Sequence, residues 1–242
     1  MSNISELVPA GEARSRGDAE TASRIIEIVT PHSTLVTGRR RQRISVESGR
    51  EDRVYVVRSG LLALHATLSD DRRLIVELLY PGDIYRSFST LSLPDPVLVA
   101  VNSCDVLRMR GAAFDELLRV GHEPARLLGD CLTRQHARLA LRVATIGLLS
   151  GEERVAAFLV ELGWRLGMTT PAGVLFEVPL ARPEVAAYLA LNPDTLSRHM
   201  SRLRDRGLVE QRGRGRILVR DIEALKRECR IAEEIERLLA GH

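Results

Sequence analysis

The sequence predicts an α+β chain: an antiparallel β-sandwich or small barrel, then a long helix, then two short helices followed by a hairpin wing. Three observations carry this. Between residues 35 and 109, short extended segments alternate with turn signals. Beyond Pro124, mostly apolar residues recur at alternating steps of four and three. Residues 182–219 hold an apolar helical run, a capped second helix and a Gly-rich turn between two extended runs.

Composition fits this plan. A chain of 242 residues has room for two modest domains, and 45% hydrophobic with 28% charged residues is ordinary for a globular protein. No apolar run approaches the roughly 20 residues that span a bilayer. The N-terminus lacks the basic-then-apolar layout of a secretion signal, so a cytoplasmic protein without membrane attachment is expected. Cys104, Cys131 and Cys229 are odd in number and widely spaced, which argues against a disulfide framework or a zinc site. Residues 1–22 are polar and small and are expected to be a disordered tail.

A helix is expected over 19–29. The extended segments are 42–46, 54–58, 61–67, 74–79, 84–88, 97–101 and 106–110, separated by Ser48-Gly49, Ser59-Gly60, Ser69-Asp70-Asp71, Pro81-Gly82-Asp83 and Pro94-Asp95-Pro96. The helical stretch that follows is interrupted near Gly121–Pro124. Beyond it, Leu128, Leu132, Gln135, Leu139, Arg142, Ile146 and Leu149 form a heptad seam. Such a seam suits a second copy of the chain; the alternative is that it packs on its own β domain. Ser150 is placed to cap a further helix with Glu152 and Glu153 in its first turn, ended by Gly167. A short strand pair is expected over 174–180. Asp221 is placed to cap a last helix over 222–239, amphipathic through Leu225, Ile231, Ile235 and Leu238.

Residues 182–206, RPEVAAYLALNPDTLSRHMSRLRDR, are the most informative stretch. Val185, Tyr188 and Leu189 recur at one-turn spacing, with Ala186 and Ala187 small enough for close packing. Asn192 then caps a second helix, with Pro193 presetting the first helical φ and Asp194 at the positive end. Leu196, Met200 and Leu203 face a core, which leaves Asp194, Thr195, Ser197, Arg198 and Arg202 on the other side. Asp, Ser and Arg on an exposed helical face can hydrogen-bond base edges, and Arg further along can meet phosphates. Gly207 ends the helix, and a Gly-rich turn carries Arg212, Arg214 and Arg216 to a wing tip. From Thr195 to Arg220, eight Arg oppose only Asp205 and Glu210, in a chain whose whole net charge is +3. Only this clustering indicates phosphate, because Lys226 is the sole lysine and the chain favours arginine throughout.

This order of elements resembles the CRP/FNR superfamily of bacterial transcription regulators, in its FNR/FixK-like branch, over roughly residues 24–225. The most specific stretches are PEVAAYLALNPDTLSRHMSRLRDRGLV, YVVRSGLLAL and ELLYPGDI. The resemblance implies an N-terminal antiparallel β-roll over 23–120, a jelly roll like that of cyclic-nucleotide-binding domains. It implies a dimerisation helix over 121–149 and a winged helix-turn-helix over 150–222, followed by a C-terminal helix over 223–242. The branch carries Glu-x-x-Ser-Arg on its recognition helix, matched here by Asp194, Ser197 and Arg198, and reads TTGA-type half-sites. The resemblance implies base contacts from these three, with Arg on guanine. Backbone contacts are expected from Thr195, Arg202, Arg212, Arg214 and Arg216. The implied partners are double-stranded DNA as an inverted repeat, a second copy of the chain, and RNA polymerase. Asp is one methylene shorter than Glu, which leaves the acidic contact direct, water-mediated or absent.

No cofactor is expected. Members that bind cyclic AMP carry Gly-Glu and Arg-Ser pairs after the Gly-Asp turn. Here Gly82-Asp83 leads into IYRSFSTLSLPDPVLVAV, where both pairs are missing and Arg86 is the only basic residue. No Cys precedes Cys104, so the N-terminal cysteine group of iron–sulfur members is absent. A haem- or redox-responsive sensor is the alternative, with His65, His122 or His136 as axial ligand and Cys104 or Cys131 as thiols. A cupin-type metal enzyme is the rival from another class, opposed by the lack of a His-x-His pair.

Overall fold

The computed structural model describes residues 8–9, 16–44, 51–70, 72–87, 93–213 and 215–240. Ser48, Gly49, Asp71, Phe88 and Arg214, all named above, lie outside them, as does most of the expected tail. The described chain divides into two compact units, one of residues 18–136 and one of 1–17 with 137–242.

In the first unit, eight strands form two antiparallel sheets. The strands are β2 (Thr34–Gly38), β3 (Arg43–Ile44), β4 (Arg53–Ser59), β5 (Leu62–Thr67), β6 (Arg73–Leu79), β7 (Ile84–Arg86), β8 (Val97–Ala100) and β9 (Cys104–Arg110), and the sheet orders are β2-β9-β4-β7 and β3-β8-β5-β6. This is the expected β-roll. β2 was not expected as a strand of its own. Side chains of β4 alternate between two cores, which explains its continuous apolar run. Tyr55 and Val57 pack between the sheets with Leu62, Leu64, Leu98 and Val106. Val54 and Val56 pack outward against the helices, with Ile25, Phe114, Leu127 and Leu128. Those helices are α1 (Arg16–Val29), α2 (Gly111–Val120) and the start of α3 (His122–Leu148). The helix expected over 19–29 thus begins earlier, at Arg16, within the expected tail.

The long helix α3 engages several residues of the expected seam within the chain. Leu128 lies in the core of the first unit. Gln135, only 7% exposed, serves the edge strand β7: its Oε1 accepts the Ile84 N–H at 2.9 Å and its Nε2 donates to the Ile84 carbonyl at 3.0 Å. One side-chain amide thus stands in for a missing neighbouring strand. Cys131 Sγ donates to the Gly82 carbonyl at 3.3 Å on the same turn. In the second unit the Arg142 guanidinium lies 3.9 Å from the centre of the Tyr188 ring, and Leu149 is buried. So Leu128, Gln135, Arg142 and Leu149 are engaged within their own chain. Leu132 and Val143, 46% and 64% exposed, lie on the outward side with half-buried Leu139 and Ile146.

The second unit is built on α4 (Gly151–Leu166) and a five-stranded antiparallel sheet. Ser150 caps α4 as expected, and does so in a capping box with Glu153. The strands are β1 (Val8–Pro9), β10 (Met168–Thr170), β11 (Gly173–Glu177), β12 (Val209–Gln211) and β13 (Arg216–Val219), in the order β1-β10-β11-β13-β12. The strand pair expected over 174–180 begins earlier, at Met168, because Thr170 to Gly173 form its turn. Val8 and Pro9, placed in the expected tail, pair with Thr169 and Met168.

The remaining helices are α5 (Arg182–Tyr188), α6 (Pro193–Asp205), α7 (Ile222–Arg227) and α8 (Ala232–Ala240). The single C-terminal helix expected over 222–239 is thus two. Cys229 N donates to the Lys226 carbonyl and Ala232 N to that of Cys229, tight bonds that turn the chain and bury Cys229. Lys226 Nζ sits between Glu223 and Glu236, tying α7 to α8, and α8 packs against α4.

Candidate nucleic-acid interface

The two-helix motif is held by local chemistry that its sequence signals. Glu184 Oε2 accepts the Ala181 N–H at 2.6 Å, at the start of α5. Asn192 caps α6 by accepting the Asp194 N–H at 2.8 Å. Between the helices, Ala190 takes a left-handed φ of 51° and Leu191 N donates to the Ala186 carbonyl. This is a glycine-type helix ending made by an alanine, at a strain of about 1–2 kcal/mol. Arg154 on α4 offsets it. Its guanidinium donates to the carbonyls of Leu149 at 3.0 Å and Leu189 at 3.3 Å. Arg154 was not singled out in the sequence, where it reads as one more surface cation.

Leu196 and Leu203 are buried beneath α6, so its opposite face is outward. The helix ends at Gly207, with φ 72°: Gly207 N donates to the Arg204 carbonyl and Leu208 N to that of Leu203. These paired bonds satisfy the last carbonyls and turn the chain into the wing. In the wing, Val209 pairs with Val219 and Gln211 with Ile217, and Gly213 and Gly215 both take positive φ at the tip.

Asp194, Ser197 and Arg198 stand together at the N-terminal end of the outward face, with Asp194 and Arg198 exposed. Arg198 Nη2 donates to Thr195 Oγ1 at 3.1 Å, so Thr195 positions Arg198 in the free protein. Ser201, missed in the sequence, lies one turn beyond Ser197, and its Oγ accepts from Arg204 at 2.7 Å.

The arginines differ in what neutralises them. Arg202 and Arg206 both reach Glu152 at 3.4 Å, and Arg206 also pairs with Glu228. Arg212 and Arg220 share Glu210 at 2.8 and 2.6 Å, and their charge holds that carboxyl below its usual range. No carboxylate among the described residues pairs with Arg198, Arg204 or Arg216. Arg204 donates instead to Ser201, so three guanidinium groups stand unneutralised, two on the helix and one on the wing. A groove of about 620 Å³ on the wing sheet is lined by Thr170, Leu175, Gln211, Arg212, Arg216 and Leu218, among others.

In the first unit, Arg86 is held by two carboxylates. It donates to Asp52 at 2.9 Å and to Asp115 at 2.7 and 2.9 Å, which holds the Asp115 carboxyl below its usual range. His65 lies at a bulge of β5, His122 opens α3 and His136 lies further along it. Among the described residues no group of three or more His, Cys, Asp or Glu is arranged to hold a metal. Cys104, Cys131 and Cys229 are all buried, and burial pushes the thiols of Cys104 and Cys229 up. Among the described residues no helix is long and apolar enough to cross a membrane.

Comparison with known proteins agrees with this architecture. Residues 153–228 match the Crp-like helix-turn-helix domain and residues 39–120 the cyclic nucleotide-binding domain. The chain is 30% identical over 178 residues to the nitrogen fixation regulation protein FixK of Rhizobium meliloti, covering 74% of this chain and 79% of that one. It is 29% identical over 213 residues to FixK of Azorhizobium caulinodans, covering 86% and 84% of the two chains. The fold is that of FixK2 from Bradyrhizobium japonicum, with a TM-score of 0.70 at 24% identity over 81% of this chain and 97% of the other. The chain belongs to the CRP/FNR family of DNA-binding transcription regulators, and it is a regulator rather than an enzyme.

Proposed function

We propose that the protein acts in the cytoplasm as a homodimer that reads an inverted repeat of TTGA-like half-sites and recruits or blocks RNA polymerase. The observation that carries this is Arg198. It stands on the outward face of a capped helix beside Asp194 and Ser197, with no carboxylate to neutralise it. A guanidinium in that place suits the O6 and N7 acceptors of guanine. Arg198 bonds Thr195 and not Asp194, which favours a separate contact of the acidic group over a role in orienting the arginine. Phosphate contacts are assigned to Thr195, to Arg216, to Arg212, which pairs with Glu210 in the free protein, and to Arg214, which lies outside the described residues; Arg212 and Arg216 line the wing groove. Arg202 is drawn towards Glu152 through Nη1 at 3.4 Å, which competes with a phosphate for its charge.

The outward line of Leu132, Leu139, Val143 and Ile146 on α3 supports the dimer. Two copies related by a two-fold axis would place half-sites about one DNA turn apart. The engagement of Arg86 by Asp52 and Asp115 supports a signal other than a cyclic nucleotide, since no basic group of that segment is left for a phosphate.

The test uses a duplex selected from a random pool by the wild-type protein, with a scrambled duplex beside it. Arg198→Ala is expected to lose about 1–3 kcal/mol on the selected duplex and nearly nothing on the scrambled one. Arg216→Ala is expected to weaken both alike and to lower the slope of log K against log salt by about 0.9. Intact discrimination in Arg198→Ala would exclude this face as the reader.

A further inference from the structure

The α6 arginines are unequally available, and one carboxylate is responsible for much of the difference. Glu152 lies in the first turn of α4, where its sequence position suggests only a helix-end charge. In the structure it faces α6. Its Oε2 lies 3.4 Å from Arg202 Nη1 and 3.8 Å from His199 Nδ1, and its Oε1 lies 3.4 Å from Arg206 Nη1. Three nitrogen-bearing side chains of one helix therefore converge on a single carboxylate. Glu152 is largely buried, whereas Arg202 is mostly exposed. His199 Nδ1 is itself buried and has no hydrogen-bond partner, so it does not draw Glu152 away from the arginines. Glu228 takes the other side of Arg206.

We propose that Glu152 is a specificity-setting residue: it withholds Arg202, and with Glu228 Arg206, from indiscriminate phosphate binding. Affinity for arbitrary DNA comes almost wholly from cations that neutralise phosphates, and each such contact steepens the salt dependence by about 0.9. A cation already paired with a carboxylate gains little by exchanging it for a phosphate. Among the described residues Arg198, Arg204 and Arg216 carry no such partner, Arg204 donating only to Ser201 Oγ. With Arg202 and Arg206 held back, the helix meets random DNA with fewer free cations, and the base contact of Arg198 makes up a larger share of binding on the right sequence. Glu152 touches no base in this scheme; it acts through Arg202 and Arg206 and is a positioning residue.

The inference rests on α6 being the reading helix, and the test separates the two. Full-length protein is titrated with the pool-selected duplex and its scrambled counterpart at several salt concentrations. Glu152→Gln is expected to bind scrambled duplex several-fold more tightly at low salt, to steepen the slope by about 0.9 to 1.8 and to lower the selected-to-scrambled ratio. Over a fourfold rise in salt, one added contact appears as a roughly threefold greater loss of affinity. Glu152→Gln with Arg202→Gln is expected to return the slope towards wild type. Arg202→Gln alone is expected to leave the slope nearly unchanged, a readout that does not need the Glu152 variant to fold.

An unchanged slope and ratio in Glu152→Gln would overturn the proposal. So would equal weakening on both duplexes with a lowered melting temperature, which is the signature of a strut. A slope reduced by about 0.9 in Arg202→Gln alone would overturn it too, since Arg202 would then already be on a phosphate. If Arg198→Ala preserves discrimination, the reading helix itself is misassigned. If Arg198→Ala abolishes it while Glu152→Gln changes nothing, only the role of Glu152 fails.

Discussion

Gln135→Ala separates two roles for one residue. On a dimer seam, a buried amide sets the register between copies, and its removal changes oligomeric state. In the structure it bonds both backbone groups of Ile84, at 2.9 and 3.0 Å, and is nearly inaccessible. Removing the amide leaves a buried N–H and a buried C=O unpaired, each at a cost of about 1–3 kcal/mol. Water entering the vacated space offsets part of this, so a loss of about 2 kcal/mol is the floor. At 1.4 kcal/mol per tenfold, that corresponds to at least about thirty-fold faster exchange of the Ile84 amide. Hydrogen exchange read by mass spectrometry on a peptide spanning 80–87, with light scattering for the oligomer, measures both. Loosened exchange at Ile84 with the oligomer intact is the expected result. An unaltered Ile84 amide, with the dimer weakened, would refute the assignment and restore Gln135 to the seam.

Val143→Glu is expected to shift the protein towards monomer in analytical ultracentrifugation while far-UV circular dichroism stays unchanged, because Val143 touches little within its own chain. Arg86→Met is expected to lower the melting temperature at pH 5–7. Asp115 is held below its usual range by Arg86, so its contribution is present above the unfolded carboxylate value of about 3.9 and is lost as pH falls through the folded one. The gap between wild type and variant should therefore narrow as pH drops below about 4, as differential scanning fluorimetry would show.

The local chemistry of α6 was legible. Asn192, Pro193 and Gly207 act at the cap, first turn and exit that their residue types indicate, because capping is decided within a few residues. The roll was legible through its turn signals, although β2, with Pro31 before it and Gly38 at its end, was overlooked. What was not legible was non-local. Gln135 and Arg142 fit a heptad by spacing, yet spacing did not reveal their partners within the chain, Ile84 and Tyr188. Arg202 and Glu152 are fifty residues apart, so their pairing left no trace in sequence. The break between α7 and α8 carries no Gly or Pro; tertiary burial of Cys229 sets it.

The only lysine of the chain is tied between Glu223 and Glu236, and every Lys/Arg cation of α6 and the wing is an arginine. A guanidinium keeps its proton at any pH at which the protein stays folded, and lysine acylation has no amine to act on there. The arginine charge of α6 and the wing is thus a constant written by the gene. What varies its hold on DNA is the ionic strength outside and the carboxylates placed beside it inside.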